Sequence, residues 1–167
     1  MEDTPLEHAK RPRNALAGPY GHPFHPILVT VPIGAWIAGL VFDLAAVFGD
    51  NDAAFLEGAQ WLIGIGIVGA VLAAVFGLMD FGTLTRGTAA HRTGQIHLTL
   101  NLTVVVLFVL SFIVRAAGGL EEVSVWGMVL SIVALAILGV SGWLGGKLVF
   151  HYGVRVAGED TQREGFR

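Results

Sequence analysis

Four long apolar stretches, separated by short polar segments, dominate the chain. Charged side chains are nearly absent from residues 26–48, 59–79, 97–114 and 125–149. Each stretch has about twenty residues, the number that an α-helix needs to cross roughly 30 Å of hydrocarbon. Four such runs within 167 residues are too many for a water-soluble core. The pattern predicts an all-α integral membrane protein, an antiparallel bundle of four transmembrane helices.

Polar segments flank this bundle. We expect residues 1–20 to form a polar N-terminal tail, residues 21–156 the transmembrane domain and residues 157–167 a polar C-terminal tail. Only 14% of the residues are charged, against about 25% in soluble domains. The chain has no cysteine, which excludes disulfides, thiolate metal sites and iron–sulfur clusters carried by this chain. The net charge of −3 does not favour nucleic-acid binding.

The basic residues predict the orientation. Nine of the ten Lys and Arg residues lie before the first stretch, between the second and third, or at and beyond the end of the fourth, and only Arg115 lies elsewhere. The other two connections are acidic and contain Asp50, Asp52, Glu57, Glu121 and Glu122. The positive-inside rule therefore places both termini in the cytoplasm. We expect a multi-pass protein of the inner (cytoplasmic) membrane, with Asp43 near the opposite face as a partner for Arg115.

All histidines outside the N-terminal tail fall at the predicted cytoplasmic face, and all four helices contribute to this group. The group comprises His22, His25, His91, His97 and His151. Asp80 lies at the same level, at the end of the second stretch. Ionisable groups at membrane depth are candidates for function. Interfacial histidines that only cap helices and contact headgroups are the plainer alternative.

Facing histidines on different helices can ligate a haem inside a bundle, and neutral imidazoles also bind transition-metal ions. His25 and His97, nearest the apolar runs, are the favoured ligands of a b-type haem. His151, His22 and His91 are further candidates, and Asp80 is a carboxylate that could orient an imidazole. A metal ion held by His22, His25 and His97 is the alternative to haem.

Two of these histidines belong to the motif "GHPFHPIL", in which each precedes a proline. A residue before proline avoids the α-helical region. The motif therefore predicts an extended strap that folds over the cytoplasmic mouth of the bundle and restricts both rings.

The motifs "GHPFHPILVTVPIGAW", "FDL", "GLMDF", "HRTGQIHLTLN" and "SGWLGGKLVFHYGVRV" resemble a family of bacterial predicted membrane proteins, the domain of unknown function DUF2231. The resemblance covers residues 21–156 and implies a four-helix membrane domain. Relatives in that family occur fused to or near Rieske-type and other redox modules, which implies a role in electron transfer. Any Rieske-type or other redox partner of this chain would be a separate protein.

Three functions remain open at this point. The first is a redox-associated subunit with haem or metal at its histidines. The second is a non-catalytic assembly or scaffold protein, and the third is a small channel or proton-linked transporter. A transporter needs polar groups through the bundle, where the chain offers mainly Thr30, Asn101, Thr103, Ser111 and Ser131. No stand-alone catalytic motif is present, and the expected partners are the lipid bilayer, a redox protein and a second copy of the chain.

Overall fold

The fold is all-helical over the residues that the computed structural model describes, which are 4–18, 21–49 and 53–167. A short helix, α1 (Pro5–Lys10), precedes a single 3₁₀ turn at Ala15–Ala17. The remaining helices are α2 (Phe24–Leu28), α3 (Thr30–Phe48), α4 (Ala53–Phe81), α5 (Ala89–Gly118), α6 (Val125–Gly146) and α7 (Glu159–Glu164). A π-helical turn, Lys147–His151, extends α6. Asp50 and Asp52 lie outside the described residues.

Four helical segments are long and apolar enough to cross a membrane: Phe24–Phe48, Ala53–Phe81, Ala89–Gly118 and Val125–His151. They contain the four ranges predicted from the apolar pattern. The observed α5 begins eight residues before the predicted stretch because Thr88 caps it, its hydroxyl accepting from the main-chain nitrogen of His91 at 3.1 Å. Many large apolar side chains, among them Val68 and Leu102, point outward and are more than 60% exposed. Such a surface suits lipid contact.

The predicted extended strap is wrong at His25. Residues Phe24–Leu28 form a helical turn that leads through Val29 into α3. Pro26 lies in the first turn of that helix, where a main-chain N–H would have no partner within the helix in any case, so proline is tolerated there. The break between α2 and α3 falls at Val29. It follows from Pro32, which cannot donate a hydrogen bond to the carbonyl of Leu28.

The core lies between two helix pairs, α3 with α4 and α5 with α6, which make the most extensive contacts. Trp36 and Phe108 stack at its centre, with ring centroids 4.1 Å apart and planes 8° from parallel. Both side chains are at most 2% exposed. The buried cluster around them is completed by Ile63, Ala70, Val104 and Ala134.

The N-terminal segment packs against the loop between α4 and α5 and against the chain after α6. Ala9, Leu84 and Val154 form a small buried cluster there. The main-chain nitrogen of Arg155 donates to the carbonyl of Ala9 at 3.0 Å. His8, placed by its sequence position in a polar tail, has its Nδ1 3.0 Å from the carbonyl oxygen of Thr83. These contacts bring three separate parts of the chain over one end of the helices.

Candidate functional site

His25 and His97 face each other across the bundle at the end where α2 begins and α4 ends. Their ring centroids are 6.4 Å apart and their planes are nearly perpendicular, at 89°. Both residues are half-buried. We call them the histidine pair, and we call this end of the bundle the histidine end.

Each ring of the pair is held by a main-chain carbonyl of another helix. His25 Nδ1 lies 2.9 Å from the carbonyl oxygen of Ala73 on α4, and His97 Nδ1 lies 2.8 Å from that of Ser141 on α6. A carbonyl oxygen only accepts, so Nδ1 carries the hydrogen in both rings. In the neutral imidazoles, Nε2 therefore has the free lone pair, which is the arrangement that metal-ligating histidines adopt.

A glycine packs against each ring of the pair. A Cβ on Gly77 of α4 would lie 2.9 Å from His25 Nδ1, and a Cβ on Gly145 of α6 would lie 3.1 Å from His97 Cε1. Each glycine comes four residues after the one whose carbonyl holds the ring. The absence of a side chain at these two positions lets the imidazoles lie directly on the helix backbones.

The two histidines occupy equivalent positions in two similar halves of the bundle. Residues 72 apart along the chain touch at three levels, as His25 with His97, Trp36 with Phe108, and Asp43 with Arg115. The ring-holding residues of α4 and α6 repeat at a constant spacing of 68, for Ala73 with Ser141 and for Gly77 with Gly145. Residues at equivalent positions touch each other at these three levels. Such contacts are expected for two helix pairs related by an approximate two-fold axis.

Asn101 adds a polar contact to one ring only. Its amide nitrogen lies 2.7 Å from the carbonyl oxygen of His97, 2.7 Å from Ser141 Oγ and 3.2 Å from His97 Nε2. An amide nitrogen has two hydrogens, and the two shorter contacts take them. The contact with Nε2 is therefore the weakest of the three.

The contacts of the described residues do not join the other predicted histidines to the pair. His22 and His151 are exposed, and His151 makes an edge contact with Tyr152 at 4.9 Å between ring centroids. His91 packs on Phe81, also with centroids 4.9 Å apart. Within residues 4–18, 21–49 and 53–167, no three His, Asp or Glu side chains converge as a metal site requires.

Asp80 lies close to the pair, in contact with a residue that the sequence pattern did not single out. Arg155 Nε is 2.9 Å from Asp80 Oδ1, although the direction of the N–H bond is not that of a hydrogen bond. The charge of Asp80 acts on both Arg155 and His25. The charge of Asp80 therefore acts on one histidine of the pair, and its role in orienting an imidazole stays a prediction.

At the opposite end of the bundle, the predicted pairing of Asp43 with Arg115 is confirmed. The two groups form a bidentate ion pair with distances of 2.5 and 2.6 Å and are at most 3% exposed. Arg115 Nε also donates to Ser111 Oγ at 3.1 Å, and Ser131 lies in the same cluster. This network satisfies its own polar groups and is structural.

The match to a family model settles the wider relationship. Residues 21–158 match the model described as "Predicted membrane protein (DUF2231)". The chain belongs to the DUF2231 family. The match covers all four apolar segments and both histidines of the pair. No curated protein and no solved structure matches the chain.

The supporting residues of this DUF2231 protein were missed by motif reasoning. Ser141, Gly77 and Gly145 lie within the predicted apolar stretches, where no ligand-binding motif marks them, and Arg155 contributed only to the charge count. The spacing of 72 residues between His25 and His97 was a usable signal, because the same spacing relates Trp36 to Phe108. Comparing the first and third apolar stretches would have shown it.

Proposed function

We propose that this protein is a redox-associated membrane subunit that holds a b-type haem between His25 and His97. The observation that carries the proposal is the pair of Nδ1-to-carbonyl contacts, to Ala73 at 2.9 Å and to Ser141 at 2.8 Å. These contacts orient two imidazoles from different helices and leave both Nε2 lone pairs available. Two opposed histidines at one level of a helical bundle form a suitable haem site.

The separation of the rings fits one metal centre between them. The ring centroids are 6.4 Å apart, and the Nδ1 contacts leave Nε2 as the nitrogen of each ring that would bind such a group. A transition-metal ion in place of haem is the alternative ligand, for which His22 would have to join the pair.

The chain's own residues would orient and insulate the bound group. The carbonyls of Ala73 and Ser141 fix the rotation of the imidazoles, and Asp80 contributes negative charge beside His25. The stacked Trp36 and Phe108 make the buried core of the bundle apolar. A bound haem would supply one-electron transfer, with the partner a separate Rieske-type or other redox protein.

We further propose an up-and-down bundle with antiparallel neighbours and both termini in the cytoplasm of a bacterial cell, as an inner-membrane protein. In the first helix pair, Phe42 packs near Gly58, Trp36 near Gly66 and His25 near Gly77. Residue numbers fall in one helix as they rise in the other, which supports antiparallel packing. The positive-inside rule supports the orientation and places the histidine end at the cytoplasmic face.

One observation favours a second candidate function, a non-catalytic assembly or scaffold protein. The Asn101 amide nitrogen bonds to the carbonyl oxygen of His97 and to Ser141 Oγ, and it lies 3.2 Å from His97 Nε2, so the surroundings of this ring are already polar within the chain. In this case the polar groups at the histidine end only join helices. A second copy of the chain would then be a natural assembly partner.

The contacts give no support to the channel alternative. Thr30 and Thr103 are exposed, and each donates to a carbonyl in the preceding turn of its own segment, that of Ile27 and that of Thr99. Asn101 belongs to the histidine end, while Ser111 and Ser131 belong to the Asp43 cluster. The buried Trp36 and Phe108 lie in the core between these groups.

The test is an optical spectrum and metal analysis of protein purified in detergent from haem-replete and metal-replete cells. We expect a six-coordinate b-type spectrum at one haem per chain. H25A and H97A should each lose the haem, whereas H22A and H151A, at exposed positions, serve as matched controls and should retain it. Protein that stays colourless and metal-free after haem addition would support the scaffold function instead.

A further inference from the structure

Arg155 stands out because its backbone is strained. Its φ is 61°, and among the described residues it is the one non-glycine residue with a positive φ. That conformation is unfavourable for an ordinary L-residue and is one that glycine adopts freely. Strained residues of this kind cluster at functional sites, which directs attention to the side chain of Arg155.

The side chain of Arg155 is buried, and some of its N–H groups have no hydrogen-bond partner. It is 4% exposed, and Nη2 donates to the carbonyl of Ala17 at 3.2 Å. Nε faces Asp80, and Nη1 is buried without a hydrogen-bond partner. A guanidinium has five N–H groups, so Asp80 and Ala17 leave most of them available. Buried charged donors without partners are costly, and an acceptor supplied by a ligand would remove that cost.

These donors lie beside the histidine pair. Gly77 packs against the His25 ring, and Asp80 follows it by three residues in α4, on the same helix face. The charge of Asp80 acts on both His25 and Arg155. The order along this face is therefore histidine ring, carboxylate, guanidinium. The symmetric position in the other half, Leu148, is apolar, so the charged pair lies on one side of the axis only.

We infer that Arg155 binds a carboxylate of the ligand held by the histidine pair, which for a b-type haem is a propionate. The inference rests on the proposed haem site. The planar guanidinium suits bidentate binding of a carboxylate. Its burial favours a group of the bound ligand over a lipid phosphate, which would first meet exposed basic side chains.

The experiment compares haem b with its dimethyl ester, which keeps the iron and the ring but has no carboxylate. Apoprotein in phosphatidylcholine nanodiscs is titrated with each, and affinity is read from the Soret band. The variants are R155Q and R155G, the second of which relieves the strained backbone and so keeps the fold. R163Q, which changes an exposed arginine of α7, is the matched control. Nanodiscs of phosphatidylglycerol repeat the series.

We expect wild type and R163Q to bind haem at least tenfold more tightly than the ester. R155Q and R155G should bind both ligands equally, at about the ester's affinity for wild type. Two results overturn the inference but leave the haem site intact. In the first, wild type binds haem and the ester equally; in the second, R155Q and R155G still prefer haem. A preference that disappears in phosphatidylglycerol assigns Arg155 to lipid phosphate and also overturns it. If wild type binds neither ligand, the haem site itself is wrong and the inference falls with it.

Discussion

The buried Asp43–Arg115 pair offers the sharpest test of the structure, because both partners are almost completely enclosed. Two N–H groups of the guanidinium meet the two carboxylate oxygens at 2.5 and 2.6 Å. Removing one partner of a buried ion pair leaves an unpaired charge in a medium of low dielectric constant. We expect D43N and R115Q each to lower the free energy of unfolding by about 3–5 kcal/mol.

A charge exchange tests the geometry more closely. Positions 43 and 115 are equivalent in the two halves, so D43R/R115D can rebuild the pair across the axis. The serine hydroxyl at 111 would not follow, because its equivalent, Gly39, has no side chain. We therefore expect the exchanged protein to unfold about 1.5–3 kcal/mol more easily than wild type, which is the value of a hydrogen bond to a charged group.

The assay is reversible denaturant unfolding in detergent micelles, followed by the fluorescence of the buried Trp36. R163Q is the control, because Arg163 is 62% exposed in its pairs with Glu159 and Asp160. Exposed pairs contribute about 0–1 kcal/mol. If D43N or R115Q lowers the unfolding free energy no more than R163Q does, the Asp43–Arg115 ion pair is not buried as described. If D43R/R115D loses as much unfolding free energy as D43N and R115Q lose together, the two-fold relationship is refuted.

Three further predictions concern other parts of the molecule. G77A should displace the histidine ring packed on it and weaken the binding of added haem, whereas G139A, where a Cβ meets nothing within 4 Å, should bind as wild type does. W36A removes a stacked core ring and should cost about 3–5 kcal/mol of unfolding free energy, and a loss below 1 kcal/mol would contradict the packed centre. The main-chain and hydroxyl groups of Thr4 that bond to Glu7 lower the pKa of that carboxyl. The bonds between Thr4 and ionised Glu7 therefore stabilise α1 fully at pH values above the pKa that Glu7 has in the unfolded chain. This stabilisation is lost as the pH falls through the lower pKa that Glu7 has in the folded protein. As the pH falls through that range, amide hydrogen exchange in α1 of wild type should accelerate relative to the intrinsic exchange rate. In E7Q, the exchange rate should follow the intrinsic pH dependence alone.

The proposed redox function and the structural alternative differ in one measurable respect. If the histidine pair only joins helices, H25A and H97A should reduce stability modestly and leave the spectrum unchanged. If the pair ligates haem, the same changes should remove the Soret band while H22A and H151A preserve it. The two exposed histidines, His22 and His151, thus serve as internal controls for the two that face each other.

Much of the fold could be predicted from hydrophobicity alone, because a run of about twenty apolar residues has few alternatives to a membrane-crossing helix. The pairing of Asp43 with Arg115 was also predictable, since two lone charges at one depth of a bilayer gain most by meeting each other. The helical turn at His25 was not. The local preference of a residue before proline opposed it, and the free N–H positions of a first helical turn decided the outcome.

The sequence by itself determined the four membrane-length helices and their approximate extents, because each depends on the run of apolar residues along one helix. Only the tertiary structure decided which histidines face each other, since that depends on the rotation of each helix about its axis. Packing against Gly77 and Gly145 set this rotation for His25 and His97, and it left His22 and His151 exposed. Tertiary structure also brought Arg155 to Asp80 across 75 residues of chain, a contact that no local pattern encodes.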